Sequence, residues 1–338
     1  MKTLKCIKPG ELQYVDADRP AMQSNHTLLK IRRIGVCVTD LHAFEGTQPY
    51  FEYPRILGHE LAAEIVAMDN APGFTIGEEV TIIPYFNCGH CFACSNGHPN
   101  YCMNIKVCGV HADGGMAEYL LVPSNSLLHS NGLSLDALAL IEPLAIGAHG
   151  ITRANVKPGE FVLVVGAGPI GLGTMEFARI AGAKVIALDI DESKLQFCKN
   201  TLNVDYAINA RSADVAEQLR DITGGNMASV VIDATGSLAA INNSFQYMSH
   251  GARYVLIGLQ KGEVKFSHPE FHKREGTLMS SRNALRPDFE HVMDSLKKGL
   301  INPLTYITHR VKFDGAKDAF ESWLKPENGV IKAMISLD

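Results

Sequence analysis

The chain has no apolar run long enough to cross a bilayer, because charge or glycine interrupts each one. Its start, Met1-Lys2-Thr3-Leu4-Lys5-Cys6, lacks the apolar stretch of a secretory signal. Basic stripes are absent too: the formal net charge is −5, and no Lys or Arg lies between Cys88 and Cys102. These gaps argue against a membrane partner and against nucleic-acid binding, and they lead to the expectation of a reducing, cytoplasmic location. Internal repeats, low-complexity tracts and long linkers are missing as well. What remains is an ordinary globular composition, 46% hydrophobic and 20% charged over 338 residues. That length exceeds one typical core and suggests two domains.

Within this chain, Cys88, Cys91, Cys94 and Cys102 fall inside one short loop. Thiolates at this density without a secretory signal suit a tetrahedral zinc ion better than disulfides. Four thiolates leave no coordination position open, so such an ion is expected to be structural.

The first 120 or so residues carry short β-like runs, Thr27–Ile34, Leu61–Val66 and Glu79–Ile83, punctuated by glycine and proline. They read as a β-rich, barrel-like domain. From Pro158 the rhythm changes. Phe161–Val165 is a continuous apolar strand, followed by Gly166-Ala167-Gly168-Pro169-Ile170-Gly171 and a helical stretch to Ala181. Lys184–Asp189, Ser229–Asp233 and Arg253–Ile257 read as further strands alternating with helices. This predicts a doubly wound parallel sheet. A helical pattern over 287–299 and an apolar strand from Val330 to Ile335 complete the chain.

The glycine motif directly follows a strand, opens a helix, and precedes an acid at the end of the next strand. Gly166 permits the tight turn, Gly168 admits a pyrophosphate to backbone N–H groups, and Gly171 lets the helix pack closely. The helix N-terminus favours phosphate. Asp189, about 20 residues beyond, suits ribose hydroxyls and repels a 2′-phosphate, with Asp191 adding to the repulsion. NAD is therefore expected over NADP. The candidate cofactor residues are Gly166, Gly168, Pro169, Ile170, Gly171, Asp189 and Lys194.

Outside the cysteine loop stand Cys37 in Cys37-Val38-Thr39-Asp40-Leu41-His42, His59 in Gly58-His59-Glu60, and Glu142 before Pro143. Cysteine, histidine and carboxylate with one open position is the pattern of catalytic zinc. Spacing alone does not join them, since they are far apart in sequence.

Taken in order, Cys-x-Thr-Asp-x-His, Gly-His-Glu, the cysteine loop, Glu-Pro and the glycine motif resemble the zinc-dependent medium-chain dehydrogenase family over essentially the whole chain. The resemblance implies a two-domain α/β fold. Its parts are a GroES-like β-rich catalytic domain, 1–147 and 285–338, and a Rossmann domain with a doubly wound parallel sheet, 148–284. It further implies two zinc ions per chain. Cys37, His59 and one of Glu60 or Glu142 would hold the catalytic one, the other carboxylate holding a metal-bound water or substituting during turnover. Thr39 and His42 would relay a hydroxyl proton outward, and Asp40 would orient His59. Val38 departs from the family's glycine, which points to a slightly different turn or a pocket-lining side chain.

Glu142 in place of a third cysteine ligand is similar to the polyol and sugar-acid branch. The segments Gly109–Tyr119, Phe266–Lys273 through Asn283, and Pro49–Pro54 resemble L-galactonate and L-idonate type 5-dehydrogenases. That likeness implies an NAD-dependent oxidation of a secondary alcohol on a sugar acid. Arg282 is the candidate for its carboxylate, with Lys273 and His111 behind it. A polyol or L-threonine dehydrogenase is the alternative, and a non-catalytic zinc and nucleotide binder a more distant one. Relatives imply a homo-oligomer, a dimer or a tetramer.

Overall fold

The computed structural model describes residues 1–49 and 51–338; Tyr50, within the segment Pro49–Pro54, lies outside the described residues. Backbone contacts divide the chain into two compact units. One is Met1–Pro143 with Leu285–Asp338, the other Leu144–Ala284. The first division falls inside the helix Ile141–Ala154, slightly before the 147/148 boundary expected from the sequence.

In the first unit the long strand His26–Val36 is central. It pairs antiparallel with Glu60–Met68 on one side and with the C-terminal strand Lys332–Ser336 on the other. The chain's last strand thus closes a sheet begun near its start. Glu79–Ile82, Leu127–His129, Tyr119–Pro123 and Ile307–Lys312 complete the seven strands described in this sheet. Alternate residues Leu29, Ile31, Leu61, Ala63 and Ile65 point into a core shared with Phe44, Phe320 and Trp323. Such alternation is what a half-buried antiparallel sheet requires.

The short helix Val38–Glu45 continues directly from the central strand and ends on Gly46, whose φ of 83° is left-handed. Ala43 and Phe44 anchor it, Phe44 meeting Phe320 edge-on at 5.7 Å between ring centroids. Val38 is the first residue of this helix and about half exposed, so no special turn is needed there.

In the second unit the strands Tyr206–Asn209, Lys184–Asp189, Phe161–Val165, Ala228–Asp233, Met248–Leu256 and Thr277–Ser280 lie side by side in that order, all parallel. Numbered along the unit, the order is 3-2-1-4-5-6, that of a dinucleotide-binding sheet. The central strands read as unbroken apolar runs because helices cover both faces. Met248–Leu256 begins earlier than Arg253, since Ser249, His250 and Gly251 extend it without apolar character. Among the described residues, no helix is long and apolar enough to cross a membrane.

Candidate functional site

Two strand ends in the first unit build a polar cluster. Cys37 follows the central strand, His59 precedes Glu60–Met68, and one ligand atom each from Cys37, His59 and Glu60 lies within 4.8 Å of the others. Register explains the meeting, because Gly35 sits opposite Glu60 in the ladder. Gly35 is needed for space: a Cβ there would stand 2.2 Å from Glu60 Oε2.

Asp40 ties the two chain segments together. Its Oδ2 accepts the Cys37 N–H at 3.0 Å, and its Oδ1 accepts the Gly58 N–H, also at 3.0 Å. The expected direct contact to His59 is not made, since Nδ1 stands 4.0 Å from Oδ1. Asp40 therefore positions His59 through the backbone of its neighbour. Burial raises the Asp40 carboxyl above its ordinary range, opposed by His59 and by both N–H donors.

Two buried partners escaped sequence reasoning. Lys332 Nζ holds both Glu60 oxygens, at 2.6 and 2.7 Å, and also donates to the Val36 carbonyl at 3.2 Å. The Tyr85 hydroxyl donates to Glu142 Oε1. Lysine within the apolar run Val330–Ile335 was a usable signal, because a charge at a buried strand position requires a partner. Tyr85 gave none, as its meeting with Glu142 is purely tertiary.

Burial pushes Glu142 above the usual carboxylate range, and burial together with Glu142 pushes the Tyr85 phenol well up. Burial alone would lower His59, but Cys37, Asp40 and Glu142 outweigh it and raise it well above its ordinary value. Burial likewise lowers Lys332, and Glu60, Cys37 and Glu142 more than reverse this.

A divalent cation suits this cluster. Its donors are sulfur, nitrogen and oxygen close together, and the buried carboxyl groups of Glu60, Glu142 and Asp40 outnumber the single ammonium of Lys332. The His59 Nδ1 is buried without a hydrogen-bond partner among the described residues. An excess of buried negative charge is costly unless a cation is present. Glu142 lies outside the tight group, although close enough to perturb His59.

Thr39 and His42 share the helix Val38–Glu45 three residues apart, hence one face. Both are half-buried.

In the cysteine loop the four thiols converge. Sγ of Cys91 is 3.5 Å from Cys94 and 3.7 Å from Cys102, and Cys102 is 3.5 Å from Cys88. Four sulfurs bound at about 2.3 Å around a tetrahedral zinc ion would stand about 3.8 Å apart. N–H groups of Cys88 and Asn104 already point at Cys102 Sγ, both at 3.3 Å. Backbone N–H donors, His90 foremost, pull the Cys88 thiol down to about 6, whereas burial lifts Cys102 to about 11.

In the second unit, Gly166 has a left-handed φ of 99° and Gly168 caps the helix Pro169–Ile180. A Cβ on Gly168 would meet nothing within 4 Å, leaving its backbone approachable, as a pyrophosphate requires. A Cβ on Gly171 would stand 1.9 Å from the Gly166 carbonyl. Gly171 is therefore required by the glycine turn itself more than by the sheet. Asp189 Oδ2 accepts the Ala167 N–H at 2.6 Å, and Oδ1 that of Asp191 at 2.9 Å. These bonds fix the carboxylate beside the glycine turn. Asp191 caps the helix Glu192–Thr201, which carries Lys194.

Arg282 is exposed just beyond the strand Thr277–Ser280. Lys273 ends the short helix His268–Lys273 and stands 3.8 Å from Glu270. His111 belongs to the first unit, exposed, its Nδ1 accepting the Val107 N–H at 3.2 Å.

With this geometry in place, likeness to known proteins becomes decisive. Residues 23–131 match the alcohol dehydrogenase GroES-like domain, and residues 169–298 match the zinc-binding dehydrogenase family. An L-galactonate-5-dehydrogenase of Escherichia coli K12 is 42% identical over 337 residues, covering 99% of each chain. The chain belongs to the zinc-dependent medium-chain alcohol dehydrogenase family. A sorbitol dehydrogenase of Halalkalibacterium halodurans is 30% identical over 93% of each chain. The crystal structure of the rspB alcohol dehydrogenase of Escherichia coli CFT073, complexed with NADH, matches with a TM-score of 0.92. It is 30% identical and covers 100% of this chain and 99% of that one. This dehydrogenase is thus an oxidoreductase acting on CH–OH donors with a nicotinamide dinucleotide.

Proposed function

We propose that this enzyme oxidises a secondary alcohol of a sugar acid of the L-galactonate, L-gulonate or L-idonate type to a keto-acid, using NAD. The observation that carries the reading is the tight group of Cys37, His59 and Glu60, in a chain 42% identical to an L-galactonate-5-dehydrogenase.

Cys37, His59 and one of Glu60 or Glu142 would hold a catalytic zinc ion, and Cys88, Cys91, Cys94 and Cys102 a structural one. A catalytic zinc ion supplies Lewis acidity that lowers the pKa of the substrate hydroxyl, and NAD supplies the hydride acceptor. Thr39 accepts the hydroxyl proton, and His42, on the same helix face, passes it outward. Gly166, Gly168, Pro169, Ile170 and Gly171 cradle the pyrophosphate, Asp189 receives the ribose hydroxyls, and Lys194 flanks that site. Arg282 binds the sugar-acid carboxylate, with Lys273 and His111 contributing charge or hydrogen bonds. Exposed Phe92, Tyr101 and Met103 on the cysteine loop favour a homo-oligomer, dimer or tetramer.

A neutral polyol is the second reading, favoured by the sorbitol dehydrogenase among the relatives. L-threonine would need an acceptor for its ammonium. The test is NADH formation across sugar acids, polyols and L-threonine, with Arg282→Ala beside wild type. The sugar-acid reading expects aldonates to be turned over best and Arg282→Ala to raise their KM selectively. Preference for neutral polyols, with Arg282→Ala silent, would reassign the substrate.

A further inference from the structure

The Lys332–Glu60 ion pair spans the central strand of the first unit. Lys332 comes from the C-terminal strand and Glu60 from the strand on the opposite side of His26–Val36. Glu60 lies against Gly35, where a Cβ would stand 2.2 Å from its Oε2, and the Lys332 ammonium reaches the carbonyl of the next residue, Val36, at 3.2 Å. Both are almost fully buried, Lys332 at 2% and Glu60 at 0% exposure. The ammonium grips both carboxylate oxygens of Glu60. Yet Glu60 is also one of the three residues whose ligand atoms lie within 4.8 Å of one another.

We propose that Lys332 is a positioning residue that competes with the metal ion for Glu60 and thereby keeps this carboxylate from occupying the ion permanently. The inference rests on the metal-centre reading given above. An oxygen of Glu60 shared with an ammonium donates less to a cation, and an ammonium a few ångströms from a divalent ion repels it. Removing the ammonium leaves Glu60 buried and unpaired, a costly state that a bound metal ion relieves. Deleting Lys332 should therefore tighten metal binding while weakening the metal-free fold. A lysine that served only as a bolt between strands would weaken both forms alike.

The experiment measures zinc content and the rate of zinc release to a colorimetric chelator, with thermal melts of metal-loaded and metal-stripped protein. Wild type, Lys332→Met, Lys332→Gln, Lys332→Arg, Glu60→Gln and the double variant Lys332→Met with Glu60→Gln are compared. Lys332→Gln retains the side-chain packing without the charge, so it reads the same effect should the methionine variant not fold. The proposal expects release from the catalytic site to slow about tenfold or more in both neutral variants, the order that loss of one buried like charge implies. Arginine should restore the wild-type rate. Removing Lys332 in the Glu60→Gln background should slow release much less than in the wild-type background, because the carboxylate it competes for is gone and only its direct repulsion of the ion remains. Cobalt-substituted Lys332→Met should show altered visible bands, reporting Glu60 as a fixed ligand.

Unchanged release with an equal loss of melting temperature in both forms would reduce Lys332 to a structural bolt and overturn the proposal. Faster release would overturn it too, since Lys332 would then be presenting Glu60 to the metal. Cys37→Ser separates the two levels of argument. If it holds as much zinc as wild type, the metal-centre reading itself fails, whatever the lysine variants do.

Discussion

Asp40 shows how one side chain can organise a site without touching the chemistry. Its two oxygens take the N–H groups of Cys37 and Gly58, so the residues beside and at both expected ligands are fixed by one carboxylate. Asparagine would present an amide nitrogen to one of those donors. Asp40→Asn should therefore destabilise the protein by about 1–3 kcal/mol, the cost of an unsatisfied buried donor, and lower zinc retention. Denaturant unfolding with metal analysis checks both. Asp189 gives a second residue-scale prediction. Its charge beside the glycine turn disfavours a 2′-phosphate, and Asp189→Ser should lower the NAD/NADP ratio of kcat/KM by about tenfold or more, the scale of one charge-assisted contact. An unchanged ratio in steady-state kinetics would move cofactor selection elsewhere.

At the scale of elements, the cysteine loop, Val38–Glu45 and the glycine turn each succeed by local rules, and this governs what the sequence made legible. Phe161–Val165 and Lys184–Asp189 match their apolar runs residue for residue, because strands buried on both faces need no alternation. Met248–Leu256 was only half visible, its first residues being polar edges of a parallel strand. The ligand candidates Cys37, His59 and Glu60 were legible as motifs, but their convergence depends on register, with Gly35 opposite Glu60. Lys332 and Tyr85 belong to distant strands, and pairings across such separations leave no local pattern. For the cysteine loop the account makes its own prediction. Cys91→Ser should remove one zinc ion per chain and lower the melting temperature, while the nucleotide unit keeps its affinity for NADH. Calorimetry and NADH fluorescence titration read these two effects separately.

On the scale of the whole molecule, a chain that leaves one sheet, builds a second unit and returns to the first sheet carries two chemistries in separately formed cores. The expected ligands of the reacting metal lie in one unit and the glycine turn in the other. Damage to either site should therefore spare binding at the other. Cys37→Ser should abolish turnover yet leave NADH affinity within about twofold, since Cys37 and the glycine turn belong to separate units. Loss of NADH binding in that variant would mean that the two units do not act independently.

The measurement that tests the central claim most directly is NADH formation from an aldonate panel by wild type and Cys37→Ser, with zinc counted in both. The account predicts aldonate turnover by wild type, one zinc ion fewer in Cys37→Ser, and no turnover by that variant. Equal zinc content with undiminished turnover in Cys37→Ser would contradict it.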